Sequence, residues 1–211
     1  ELGTGTFDFE TLTTLNMDPA TQKMLFLGFF FAFAVKAPMV PFHTWLPDAT
    51  AEATPGTSTL LVGVLDKVGT FGMLHFLLPI FPEASKFYAP VIIVLAVISI
   101  FYGALLAIGQ TDVMRLVAFT SISHFGFIVM GIFVMTSQGL SGSSFYMVNH
   151  GFSTGALFLV MGYLVSRRGS KRIADFGGVQ KVAPILTGVV LISGLSGLAL
   201  PGMSSFVSEF L

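Results

Sequence analysis

Cysteine is absent from these 211 residues. That excludes disulfides, iron–sulfur ligation by the chain and c-type haem attachment. Charge is scarce: Asp, Glu, Lys and Arg together make up 10% of the chain, where soluble domains carry about a quarter. The net charge is −1, and no basic stretch is interleaved with aromatics, so nothing points to nucleic acid. There is no glycine-rich fingerprint between a strand and a helix, and no two histidines share a helix face at ligand spacing. Neither a bound cofactor nor a metal is therefore expected on this chain. No signal peptide is visible, since Glu1 is not a methionine and the opening twenty residues are polar. With Leu211 ending inside an apolar stretch, the chain is expected to be an internal piece of a longer protein, truncated at both ends.

What is there is grease. Apolar residues make up 54%, with 23 phenylalanines and a mean hydropathy of +0.85. A spanning helix needs about 20 mostly apolar residues. Six segments qualify, near Gln22–Leu46, Thr57–Leu78, Tyr88–Ile108, Val113–Met135, Ser143–Val165 and Pro184–Leu211. The pattern predicts an all-α polytopic membrane protein of about six transmembrane helices. Prolines break the first and last of them: Pro38 and Pro41 follow Lys36, and Pro201–Gly202 precedes Glu209. Residues 1–21 read as a polar N-terminal segment and 22–211 as the transmembrane domain.

Lysine and arginine outside the spans orient the bundle. Lys23 and Lys86 fall on the side of the N-terminal segment; Arg115, Arg167, Arg168, Lys171, Arg172 and Lys181 fall on the other. The Arg167–Lys181 loop is therefore expected to be cytoplasmic, and the N-terminal segment to face outward.

Ionisable residues left at membrane depth are Lys36, Asp66, Lys67, His75, His124, His150 and Glu209. A charge in hydrocarbon costs at least about 2.5–3.5 kcal/mol, so such side chains face the bundle interior or a wet cavity and mark ion paths by default. Pro38 should free the carbonyl of Ala34 and Pro41 that of Ala37, offering Lys36 polar partners and room for water. Paired breaks near the midplane are how transporters build ion sites. Gly63, Gly69 and Gly72 flank Lys67 and permit close helix contact. Asp66 lies about 100° round the helix from Lys67, so the two do not face each other directly. His124 and His150 titrate near neutrality and sit on segments that also hold Ser121, Ser123 and Asn149. His43 and His75, near helix ends, are expected at the interface.

The blocks "KAPMVPFHTWLPDATAEATPGTSTLLVGVLDKVGTFG", "TDVMRLVAFTSISHFGF", "NHGFSTGALFLVMG", "RIADFGGVQKVAP" and "GLALPGMSSFVSEF", in this order, resemble the antiporter-like subunits of respiratory complex I. The resemblance runs from about Gln22 to the end. Its NHG…GALF block and terminal glutamate are similar to the subunit M branch, called subunit 4 in mitochondria. It implies that Lys36 matches the lysine of the broken helix leading a proton half-channel, and that Lys67 matches the central lysine. It implies further that His124 and His150 belong to the connecting axis, that Glu209 is the terminal carboxylate handing protons outward, and that His43 stands beside the first break. In that family the lysine of the broken helix pairs with a glutamate on an earlier helix, outside these 211 residues. Asp66 departs from the pattern, which has an apolar residue there, and so bears on how far Lys67 is desolvated.

The resemblance implies a proton-translocating subunit of an NADH:quinone oxidoreductase in a bacterial inner membrane. Its partners would be the lipid bilayer and the other membrane subunits of the complex. The complex would use NADH and a quinone, with no redox chemistry on this chain. The alternative is the homologous subunit of a multisubunit sodium/proton antiporter. A purely structural spacer would leave two mid-membrane lysines without a reason.

Overall fold

The computed structural model describes residues 5–211, and all of its regular elements among them are helical. A short α1 (Phe9–Thr13) precedes α2 (Pro19–Lys36), α3 (Trp45–Glu52), α4 (Pro55–Ile80), α5 (Pro82–Ile108), α6 (Val113–Phe133) and α7 (Ser137–Arg168). After a connector come α8 (Val179–Val182), α9 (Pro184–Gly197) and α10 (Ser204–Phe210). Four of these, α4 to α7, are long and apolar enough to cross a membrane. The first and last predicted spans are each two helices with irregular backbone between them, at residues 37–44 and 198–203. Both expected breaks are present.

Local chemistry explains the ends. Asp18 accepts from the N–H groups of Ala20 and Thr21 and starts α2 three residues earlier than hydropathy alone places it. Pro82 occupies the first turn of α5, and the side-chain oxygen of Gln22 accepts from the backbone N–H groups of Glu83 and Ala84, each at 2.9 Å. That satisfies donors a helix start leaves orphaned, so α5 begins six residues before the predicted Tyr88. Thr136 caps α7, and Gly169, left-handed at φ 71°, ends it. These caps stretch the predicted Ser143–Val165 span by several residues at both ends.

Where α2 stops, the fate of the freed carbonyls differs from the expectation. The Ala34 carbonyl is not left open: Met39 N–H reaches it at 3.4 Å. The Val35 carbonyl accepts from the Trp45 indole at 3.0 Å, and the Val40 N–H donates to Ser99 Oγ at 2.9 Å. The break is thus tied to α3 and α5 by polar contacts. His43, expected at the interface, is buried inside the break at 4% exposure, edge-on to Tyr102 with ring centroids 5.0 Å apart. The chain turns back there and α5 covers it. His75 is exposed and stacks on Phe9 and Phe71.

Glycines set the helix spacing at two contacts that position the interior polar groups. A Cβ on Gly69 would stand 2.5 Å from the backbone N of Ala37 and 2.7 Å from the carbonyl oxygen of Phe33, so α2 lies directly on α4. A Cβ on Gly151 would stand 2.8 Å from the carbonyl oxygen of Gly63, so α7 lies on another side of the same helix. The core fills around these contacts with Phe26, Phe30, Met39, Met73, Phe125, Ile128 and Phe133.

The ends of α3, α6 and α7 meet at one end of the bundle. Lys171 donates to the carbonyl of Ala51, Arg115 pairs with Asp48, and Asp112 and Arg172 form an isolated antiparallel bridge. The bases of Arg115 and of the Arg167–Lys181 connector therefore share one side, as the charge pattern requires.

Candidate functional site

Helix α4 presents two chemistries to two neighbours. Asp66 and Gly69 are three residues apart and point toward α2; Gly63 and Lys67 are four apart and point toward α7. Asp66 is completely buried, and its Oδ1 lies 3.8 Å from the Lys36 Nζ. Lys36 is the last residue of α2, its side chain 36% exposed and its amine 5.8 Å from the centre of the Trp45 ring.

Lys67 lies between two π-helical turns, Leu61–Leu65 and Met73–Leu77. In the first of them the Asp66 N–H reaches five residues back, to Leu61. The Val62 carbonyl loses its usual i+4 donor from that residue, and the Lys67 amine donates to it instead. The same Nζ is 2.6 Å from His150 Nδ1 and 5.1 Å from the centre of the Phe125 ring. No sequence pattern marks these π turns.

His150 is fully buried and uses both ring nitrogens: Nδ1 meets Lys67, and Nε2 is 3.1 Å from Ser121 Oγ. An imidazole bonded on both sides can take a proton at one nitrogen and release one at the other. The His124 ring stands perpendicular to that of His150, with centroids 5.2 Å apart, and 5.9 Å from that of Tyr146. His124 also borders a groove of about 350 Å³ that reaches Gly197 and Leu198, where the last helix breaks.

The line ends at Glu209. The Tyr146 hydroxyl donates to Glu209 Oε1, and both line a cavity of about 230 Å³ with Ser208, Gly131 and Thr136 at the end of the bundle opposite Arg115. Asn149 holds α10 in place, its Nδ2 donating to Ser204 O at 3.0 Å and Ser208 Oγ at 3.2 Å. Within the break, Gly202 adopts φ 101°, open to glycine and strained for other residues, and Ser205 donates across it to the Ser196 carbonyl. Tyr146 carries no motif. Its one signal is the spacing to His150, four residues along and so on the same face of α7.

The structure thus gathers Lys36, Asp66, Lys67, His150, His124, Tyr146 and Glu209 into a single file of polar side chains through an apolar bundle. It leaves His43 one step aside, within the first break. Lys67 is half-buried, and a groove of about 350 Å³ between α4 and α7, lined by Gly63, Met147 and Gly151, reaches it.

Known proteins share both sequence and fold. The chain is 59% identical over 213 residues to NADH-quinone oxidoreductase subunit M of Mycobacterium tuberculosis, covering 98% of this chain and 38% of that protein. It is 41% identical to NADH-ubiquinone oxidoreductase chain 4 of Marchantia polymorpha, covering 99% of this chain and 42% of that one. Respiratory complex I from Thermus thermophilus superposes with a TM-score of 0.92 at 35% identity over 97% of this chain and 44% of the matched one. The Mrp complex from Dietzia sp. DQ12-45-1b superposes with a TM-score of 0.90 at 28% identity, covering 98% of this chain and 39% of that one. The chain spans less than half the length of the relatives it matches. Residues 2–211 match the transmembrane family of NADH:quinone oxidoreductase and Mrp antiporter subunits, and this integral membrane protein belongs to that family.

Proposed function

We propose that this chain forms the proton-translocating part of a membrane subunit of a bacterial NADH:quinone oxidoreductase, coupled to quinone reduction carried out elsewhere in the complex. The observation that supports it is the file of titratable side chains from Lys36 to Glu209, with hydrogen bonds at Lys67–His150, His150–Ser121 and Tyr146–Glu209. In this reading Lys36 receives protons beside the first break. Lys67 is the central station, His150 and His124 pass protons along the axis, and Glu209 releases them outward past the second break. The electron carriers sit on other subunits.

A second reading, a subunit of a sodium/proton antiporter complex, is supported by the close superposition on the Mrp complex. The higher identity to subunit M and the glutamate at 209 favour the first. The two separate on what the whole protein carries with it. Tagged and purified from its own membranes in mild detergent, it should bring down NADH-oxidising subunits and NADH:quinone reductase activity. Recovery of sodium/proton exchange without any NADH-oxidising subunit would overturn the proposal in favour of the antiporter.

The topology has its own test. Glu83 and Gln180 are exposed at opposite ends of the bundle. Cysteines introduced at the two positions should label from opposite faces of the membrane, Gln180→Cys from the cytoplasm. Labelling of both from one face contradicts the six-crossing path.

A further inference from the structure

Asp66 stands in the file of polar side chains but takes no proton step in the relay just described, and it is fully buried. Neither of its oxygens has a hydrogen-bond partner among the described residues, and both are sealed from solvent. A buried carboxylate left so costs heavily unless an opposite charge stands near. Two such charges do, on opposite sides. Lys36 Nζ, from α2, is 3.8 Å away, which is ion-pair distance but longer than the roughly 2.7–2.9 Å of a charge-assisted hydrogen bond. Lys67, next in the chain, is turned toward His150 and the Val62 carbonyl and makes no ion pair among the described residues. Lys36 ends its helix, and among the described residues its amine makes no hydrogen bond. Gly69, one turn along, fixes the backbone of the break against α4, so a movement of Lys36 is a movement of its side chain past a stationary carboxylate.

We propose that Asp66 is a shared counter-charge for two lysines: it pairs with Lys36 in the arrangement seen here, and when the Lys36 side chain swings away its field falls on Lys67. One anion between two cations gives the pair of stations a means of communication. With Lys36 close, the charge of Asp66 is largely answered; with Lys36 gone, the cation left to answer it is Lys67, its neighbour in the chain. Asp66 carries no proton in this scheme and touches no substrate, so it is a positioning residue for the charge states of Lys36 and Lys67. The inference rests on the proposed relay.

The test uses the complete complex, reconstituted in liposomes, with Asp66→Asn, Asp66→Glu and Lys67→Arg made side by side. Asparagine keeps the shape of the buried side chain and removes its charge; glutamate keeps the charge and carries it one methylene further toward the Lys36 amine, 3.8 Å from the aspartate oxygen. Asp66→Asn should assemble and lose about tenfold in proton pumping, while Asp66→Glu should retain more than half of the wild-type rate. A purely structural aspartate would not separate the two variants in that order. Asp66→Asn pumping within twofold of wild type, or Asp66→Glu as defective as Asp66→Asn, overturns the role of Asp66. If Lys67→Arg is defective in the same series while Asp66→Asn is normal, only the counter-charge falls. If Lys67→Arg also pumps normally, the relay itself is wrong.

Discussion

Lys67→Arg, made in the complete complex, should leave assembly intact and cut proton pumping and quinone reduction together, by at least about tenfold, or ~1.4 kcal/mol in activation free energy. A relay lysine must exist both charged and neutral within one turnover. An ammonium can give up its proton to an adjacent acceptor, whereas a guanidinium does not release its proton in any accessible range. Geometry adds a second reason. The Lys67 amine is a point donor that meets His150 Nδ1 at 2.6 Å and the Val62 carbonyl at once, and a planar, longer guanidinium does not reproduce that geometry. Lys67→Ala should fail equally, because it removes the station. Pumping measured as acidification of proteoliposomes, beside NADH:quinone reduction by the same preparation, reads both quantities. Normal pumping by Lys67→Arg would mean that a fixed positive charge is all the position needs.

Gly69→Ala should be among the most damaging single methyls that the described residues could receive. Its Cβ would stand 2.5 Å from the Ala37 nitrogen, 2.7 Å from the Phe33 carbonyl oxygen and 2.8 Å from the Ala37 Cβ. The first two are backbone atoms at the end of α2, which no rotamer change can move aside. Relief requires α2 and α4 to separate, which unseats the first break. Overpacking of this kind costs about 1–3 kcal/mol or more. The whole subunit carrying Gly69→Ala should therefore unfold at lower temperature in detergent and appear at lower level in assembled complex. Gly28→Ala is the matched control, since its Cβ would meet nothing within 4 Å. It lies on the exposed face of the same α2 and should be neutral or slightly stabilising, by helix propensity. Equal stability of the two variants would show that the α2–α4 contact is not as tight as described.

The local rules were legible in the residues themselves. Long apolar runs with few charges marked where the membrane helices lie, because hydrocarbon tolerates no unpaired backbone. Proline after Lys36 and Pro201–Gly202 before Glu209 fixed both breaks, because a ring without an N–H cannot continue a helix. Lysine and arginine counts sorted the loops onto two sides, in agreement with the contacts that join Arg115 and Lys171 to the end of α3. Helix ends drifted by three to six residues where a capping side chain, such as Asp18 or Gln22, satisfied orphan donors beyond the apolar run.

Partnership was not legible, and the reason is geometric. Residues adjacent in a helix point about 100° apart, so sequence separates Asp66 from Lys67 without saying which helix lies on either side. Packing decided that: the bare surface of Gly69 admits α2 and delivers Lys36 to Asp66, while Gly63 against Gly151 admits α7 and delivers His150 to Lys67. The π turn that opens the Val62 carbonyl, the burial of His43 and the bond from Tyr146 to Glu209 likewise belong to the tertiary structure. Each joins groups with no fixed spacing in the chain. The sequence by itself determined which polar groups must be hidden from lipid; only the fold decided which of them meet.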